Sequence, residues 1–500
     1  MVHSRRSPTE GAAAQADPDA ARLRELGYEQ ELRRHLHGLD NVAIGFATIS
    51  PIVGLYAVVL VGMTVAGPAW VWVLPVALAG QCLLLTVYSE LAAEFPIAGG
   101  PYQWSRRLVG GAYAWFSGWV AICAYAVANT TIAYLGAPWA LTVLGIEPTA
   151  TAIVITGMVL VLICALAGAS GIKVIKRLVR TGVAAEVTAL VGIGVILLLA
   201  FREQGFSLFG DTLGAEAASG GSVPGALLAA LAVGGWVFIG FDACVASAEE
   251  THRADRHVPR ALWVALLSVA ALVMLNSIAT TLAHPAPADV VTGHDPEPVT
   301  TAVVASFGSW STRPFAALVL VAFVACGMAA QALTARTMFS IARDGVLPGS
   351  SFLRRVDRRG SPIGAVVVTA VVAAAGLLLG LESTAIGTVI VFGTAAVYVE
   401  FLLVAVAALT ARLRGNWTPG AHLQLGRAGL VANVLAVLWL TFETLNIAWP
   451  RTSIAPPGAP FYQVWAAPLV LAVIAVTGLA YLLIATPQAR LRERSSETSR

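Results

Sequence analysis

The sequence predicts an all-α polytopic membrane protein of about twelve transmembrane helices, folded as a 5+5 inverted repeat in which helices 1 and 6 are broken. Four observations carry that prediction. Of the 500 residues 57% are hydrophobic and 12% charged, with a mean hydropathy of +0.77. The apolar residues fall in recurring runs close to the roughly 20 residues that cross about 30 Å of hydrocarbon. The basic residues lie almost wholly in alternate connections. Two of the runs, five apart, are interrupted by Gly, Pro, Ser or Asp.

Residues 1–39 are polar and rich in Arg, Ala and Glu, with no signal-peptide pattern. Within them, Leu23 to Leu36 reads either as a short amphipathic helix on the membrane surface or as a disordered stretch. Apolar spans follow at 41–65, 70–93, 112–144, 150–169, 181–201, 226–248, 261–283, 313–341, 362–381, 384–410, 427–449 and 464–486. If the N-terminal tail is cytoplasmic, the even-numbered connections and the C-terminal tail are too. Of the 31 Lys and Arg residues only Arg202, Arg313 and Arg451 then lie outside. Basic residues accumulate on the cytoplasmic side, so both termini are expected there, in the cytoplasmic membrane. The formal charge of +3 is therefore a topology signal and not a nucleic-acid footprint. Cys82, Cys123, Cys164, Cys244 and Cys326 are scattered through apolar runs, with no metal or redox spacing. They read as packing residues, and neither a metal nor a cofactor is expected.

After span 2, Pro96, Gly99, Gly100 and Pro101 predict a tight turn, with Tyr102 and Trp104 at the membrane interface. Span 6 begins as an apolar helix, places Gly240 and Asp242 in mid-run, and ends in the polar cluster Glu249 to Arg260. A carboxylate at bilayer depth costs several kcal/mol or more and marks a functional site by default. Glycine beside it lets the backbone leave helical geometry, which is tolerated there only inside protein or beside a cavity. The plain alternative is an Asp paired within an unbroken bundle. Span 1 carries Ser50-Pro51 with Gly54 close behind. Alone, the proline would mean a kink. Spans 1 and 6 are five apart, however, so they cross in opposite senses. Paired breaks in inverted halves point to a midplane solute site. This divides the chain into a tail (1–39), a core of two repeats (40–202 and 226–410, within 40–410), peripheral helices 11 and 12 (411–488) and a C-terminal tail (489–500).

Four stretches give a more specific resemblance: SELAAEFPIAGGPYQW at 89–104, GFDACVASAEETHRADRHVPRA at 240–261, SIARDGVLPGSSFLRRV at 340–356 and LGRAGLVANVLAVLWL at 425–440. In this order they resemble the amino acid–polyamine–organocation superfamily, and within it the amino acid/choline transporter branch. That branch usually has a His between the Asp and the paired Glu residues. Here the segment reads Cys244-Val245-Ala246-Ser247, which leaves the substrate open. The resemblance implies a LeuT-type inverted repeat and secondary active transport, with a small amine-bearing solute held between the two breaks. It leaves amino acids, 4-aminobutyrate, choline-like cations, polyamines and ethanolamine as candidates. Symport and exchange both remain open.

The residues expected at such a site follow from the breaks. Amides at the start of the second half of span 1, near Val53 and Gly54, suit a carboxylate. Carbonyls at Thr48, Ile49 and Ser50, and at Phe238, Ile239 and Gly240, suit an ammonium. Trp236, Phe238 and Phe241 are placed to stack on a cation, with packing as the alternative; Trp236 falls where the superfamily carries a gating aromatic. Tyr125 and Asn129 share one face of span 3, facing either substrate or another helix. Desolvation disfavours a charged carboxyl, which makes Asp242, Glu186 and Glu400 candidate proton carriers. Glu186 lies near a position where many superfamily members have a Lys, and a pair with Arg177 or Arg180 is its alternative role. Na+ held by carbonyls of spans 1 and 8 is a second possible coupling ion. Glu443 is expected to be structural. The histidines (His3, His35, His37, His252, His257, His284, His294, His422) fall in tails and connections, against a histidine relay. No H-E-x-x-H or other reactive cluster indicates a membrane enzyme, and both tails are too short for a signalling domain.

Overall fold

The computed structural model describes residues 18–381, 383–455 and 458–489. Residues 1–17 of the predicted N-terminal tail and 490–500 of the C-terminal tail lie outside them. Among the described residues twelve helices are long and apolar enough to cross a membrane. The described residues form no strands, and one isolated bridge pairs Leu36 with Thr251.

The predicted spans are found in order, and their ends differ where charge misleads hydropathy. Span 5 is Ile172–Ala200 and span 7 is Ala254–Ala283, each starting about two turns before its apolar run. A helix satisfies its own backbone whether or not it carries Lys and Arg, so it continues through the basic turns that leave the hydrocarbon. Span 3 (Gly111–Leu144, 34 residues) and span 8 (Thr312–Arg343, 32 residues) hold equivalent places in the two repeats and pack on each other. At about 1.5 Å per residue each is near 50 Å long, so both tilt or project beyond the hydrocarbon.

Span 1 is two helices, Gly38–Ile49 and Pro51–Ala66. Span 6 is Val223–Gly234, a 3-10 turn at Gly235–Phe238, and a short helix Ala243–Ala246. Span 1 lies innermost, with 78% of its apolar window buried, and span 6 has 61%, against 28% and 17% for spans 11 and 12. The last two therefore sit at the periphery. Spans 4, 5, 11 and 12 turn residues such as Leu162, Leu199, Leu438 and Val476 outward, as lipid contact requires.

Two expectations near one end of the bundle are corrected. Helix forms at Pro18–Glu25, but none continues to Leu36. The backbone there finds partners in the polar cluster after span 6. His35 and Leu36 donate to the Glu250 carbonyl (3.0 and 2.8 Å), and His252 donates to the Leu36 carbonyl (2.9 Å). After span 2 the chain makes a further helix, Gly100–Leu108, and Tyr102 and Trp104 are fully buried rather than interfacial. Their polar atoms explain it: the Tyr102 hydroxyl donates to Asp344 (2.7 Å) and the Trp104 indole to the Phe95 carbonyl (3.0 Å).

Candidate functional site

The break in span 1 centres on Ser50, a non-glycine residue at φ +42°. Pro51 has no N–H and cannot continue the first helix. The Ser50 N–H still donates to the Phe46 carbonyl (2.7 Å), and its hydroxyl caps the second helix by accepting from the Val53 N–H (3.3 Å). That hydroxyl donates to Glu186 Oε1 (2.7 Å), the Ile52 N–H donates to the same oxygen (3.0 Å), and the Gly54 N–H donates to the Ser50 carbonyl (2.9 Å). A carboxylate therefore does sit at this helix start, where free amides favour negative charge, but it belongs to span 5. The Val53 and Gly54 amides are bound within the break itself. Glu186 is buried and faces the break, while Arg180 turns to Asp40 (3.3 Å), as does Lys176 (2.7 Å).

In span 6 the chain leaves helical geometry at Ile239 and passes Gly240 at φ +105° before Asp242 starts the next short helix. Glycine is required for two reasons. The φ value is unfavourable for an L side chain, and a Cβ there would lie 3.0 Å from both Cγ2 and the carbonyl oxygen of Thr48. A Cβ at Gly54 would lie 3.2 Å from Val237 Cα and its carbonyl oxygen. The two breaks thus rest directly on each other.

Beside them is a cavity of about 40 Å³. Thr48, Ile49 and Val53 line it from span 1, Tyr125 and Asn129 from span 3, and Trp236, Ile239, Gly240 and Asp242 from span 6. Three residues expected at the site lie outside it. Ser50 is turned to Glu186, Gly54 is packed on Val237, and Phe238 is fully buried. Phe241 is also withdrawn, stacked on Phe401 with centroids 5.2 Å apart. The remaining lining was missed: Ala128 and Ile132 of span 3, Cys326, Ala330, Leu333 and Thr334 of span 8, and Val397 of span 10. Such side chains look the same in sequence whether they face a helix, lipid or a solute. At this size the cavity is far below the about 300–1,000 Å³ of open ligand pockets, so the site is closed around its lining.

Asp242 is the one carboxylate in that lining, and no Lys, Arg or His of the described residues joins it. Its Oδ2 accepts from the Tyr125 hydroxyl. Asn129 bridges spans 3 and 8, its side-chain amide donating to the Tyr125 carbonyl (2.7 Å) and to Thr334 Oγ1 (2.8 Å). Glu400 stands behind the lining and accepts from the Tyr88 hydroxyl (3.0 Å). Glu443 lies farther off and accepts from the Asn446 side chain (3.3 Å).

A second constellation closes the end of the bundle where the N-terminal segment lies. Arg343 forms a two-pronged pair with Glu249 (2.8 and 3.0 Å), and Arg336 does the same with Glu250. Asp344 accepts from Arg106 (2.7 Å) and Tyr28 (3.0 Å), and Glu90 pairs with Arg412. Asn41 ties span 1 to the end of span 6 through the Cys244 carbonyl (3.0 Å) and Ser247 (2.9 Å). The quoted motifs after spans 2, 6 and 8 meet here; they supplied a resemblance, but their pairing could not be read from sequence.

Over most of its length the chain is similar to known amino-acid permeases. It is 26% identical to the amino-acid permease BAT1 homolog of Oryza sativa subsp. japonica over 88% of this chain and 89% of that one. It is 25% identical to the amino-acid permease BAT1 of Arabidopsis thaliana over 87% and 90%. It is 27% identical to the mitochondrial cationic amino acid transporter 3 of Arabidopsis thaliana over 77% of this chain and 63% of that one. The sequence profile described as amino acid permease matches residues 40–486. With the profile covering nearly all of the membrane-spanning chain, the protein belongs to the amino acid permease family, within the amino acid–polyamine–organocation superfamily.

Proposed function

We propose that this permease is a secondary active transporter that imports an amino acid or related small amine across the cytoplasmic membrane, with both termini in the cytoplasm and a proton as the driving ion. The observation that carries the proposal is the pair of breaks resting on each other beside a closed cavity whose one carboxylate is Asp242. An ammonium group is the natural partner for a desolvated carboxylate. Tyr125, Asn129 and Thr334 offer polar contacts, and Trp236 and Ile239 an apolar wall. The amino-acid names of its relatives support the substrate class.

The two buried acids of the breaks suit different tasks. Asp242 lines the cavity, so a proton there competes with the substrate's ammonium. Glu186 lies off the cavity and holds Ser50 and Ile52; a proton there neutralises a buried charge without displacing substrate. Protonation would loosen its grip on the second half of span 1 and ease rocking of one helix bundle against the other. In this reading the repeats 40–202 and 226–410 each contribute one broken span to the moving bundle. Accumulation of a labelled amino acid above its outside concentration in proteoliposomes tests the function. Equilibration without accumulation under any imposed ion gradient would leave a channel or facilitator instead.

A further inference from the structure

Behind the cavity two carboxyl groups are joined by tyrosines and by no cation. Asp242 and Glu400 are both fully buried. The Tyr125 hydroxyl donates to Asp242 and also stands against the Glu400 carboxyl. The Tyr88 hydroxyl donates to the other side of Glu400 (3.0 Å). Asp242 Oδ1 and Glu400 Oε2 have no hydrogen-bond donor. The titratable groups beside the two carboxyls are Tyr88, Tyr125 and the Cys244 thiol, and among the described residues no Lys, Arg or His is paired with either of them. The wall is apolar: Tyr88 packs edge-on against Trp104, Phe241 and Phe401.

Two ionised carboxylates in one dry site, without a cation, repel each other and lack the solvation each needs. A single proton removes the conflict. We propose that Asp242 and Glu400 share one proton through the Tyr125 hydroxyl, and that Glu400 is the residue that holds it while Asp242 binds the substrate's ammonium. In one arrangement Asp242 carries the proton and donates to the Tyr125 oxygen, and Tyr125 donates to Glu400. In the other, Glu400 carries it and donates to the Tyr125 oxygen, and Tyr125 donates to Asp242. The two interconvert when Asp242 gives its proton to the Tyr125 oxygen as Tyr125 gives its own to Glu400. The cluster keeps a net charge of −1 throughout. An arriving ammonium selects the second arrangement, so the amine binds without expelling a proton from the protein. Glu400 does not touch the cavity and acts through Tyr125, as a positioning residue for charge.

This rests on the amine site proposed above, and two measurements on the full-length protein separate the two ideas. The first needs no ligand: the protonated-carboxyl C=O absorption in infrared spectra near neutral pH. It is expected to shift in Glu400→Gln, where the proton is left on Asp242 alone. Spectra identical in that region for the wild type and Glu400→Gln would overturn the proposal. The second is calorimetry in buffers of different ionisation enthalpy, using whichever of L-lysine, 4-aminobutyrate, ethanolamine and choline binds. The wild type is expected to release almost no proton on binding, whereas Glu400→Gln and Tyr125→Phe release close to one per bound molecule. Equal release by all three proteins would also overturn it. Binding of none of the four, with the infrared change intact, would count against the amine site and leave the shared proton standing.

Discussion

Gly240 and Thr48 meet across the two breaks at a distance that crowds any side chain on the glycine: a Cβ there would sit 3.0 Å from the Thr48 carbonyl oxygen. Span 6 can approach span 1 this closely only with bare backbone, and at φ +105° only glycine is at ease. Gly240→Ala is therefore expected to lower stability by about 1–3 kcal/mol and to cut uptake at least about tenfold, the equivalent of about 1.4 kcal/mol. Thermal unfolding and initial uptake rates check it; wild-type values of both would mean that the breaks need not touch.

Gly54 tests the opposite side of the same contact. Gly54→Leu drives a branched side chain into the Val237 backbone, which lies 3.2 Å from where its Cβ would stand. Overpacking of this kind costs about 1–3 kcal/mol, which a large bundle absorbs. Folded, membrane-inserted protein with abolished uptake is the expected outcome, read by size-exclusion profile and transport assay. Normal uptake would remove the second half of span 1 from the site.

The paired Arg and Glu residues at the end of spans 6 and 8 are expected to hold the cytoplasmic side shut. Removing one partner of a buried pair costs about 3–5 kcal/mol, and Arg343→Ala leaves Glu249 buried without its two-pronged contact. In a protein whose only cysteine is Cys326, which lines the cavity, Arg343→Ala should raise the labelling rate by a membrane-permeant maleimide at least about tenfold, the equivalent of about 1.4 kcal/mol. An unchanged rate would show that these pairs do not gate access.

The proposed orientation is read from the basic residues. Reporter fusions after Arg500 should report the cytoplasm, with fusions in the connection between spans 7 and 8 on the opposite side. A C-terminal reporter active outside the cell would reverse the proposed direction of import.

How much was legible depended on the kind of signal. The twelve spans and both breaks were readable because hydropathy, proline and an intramembrane Asp are local features. Glu186 was readable as a candidate proton carrier, but its contact with Ser50 was not, since Arg177 and Arg180 were nearer in sequence; the structure turns Arg180 to Asp40 instead. Glu400 stood out as a mid-span acid, but its proposed link to Asp242 runs through Tyr125 on another helix. The lining residues of span 8, such as Cys326 and Thr334, carried no signal at all. Side-chain partners more than 200 positions apart, such as Asn129 and Thr334, follow from helix packing that one sequence does not spell out.

The most direct test is uptake of a labelled amino acid into proteoliposomes driven separately by an imposed pH gradient and an imposed Na+ gradient, in the wild type and in Glu186→Gln. The glutamine keeps an oxygen to accept from Ser50 and Ile52 but takes up no proton. The expected result is wild-type uptake driven by the pH gradient alone, and Glu186→Gln that still exchanges substrate but no longer responds to pH. Uptake that follows Na+ alone, or unaltered pH-driven uptake in Glu186→Gln, would contradict it.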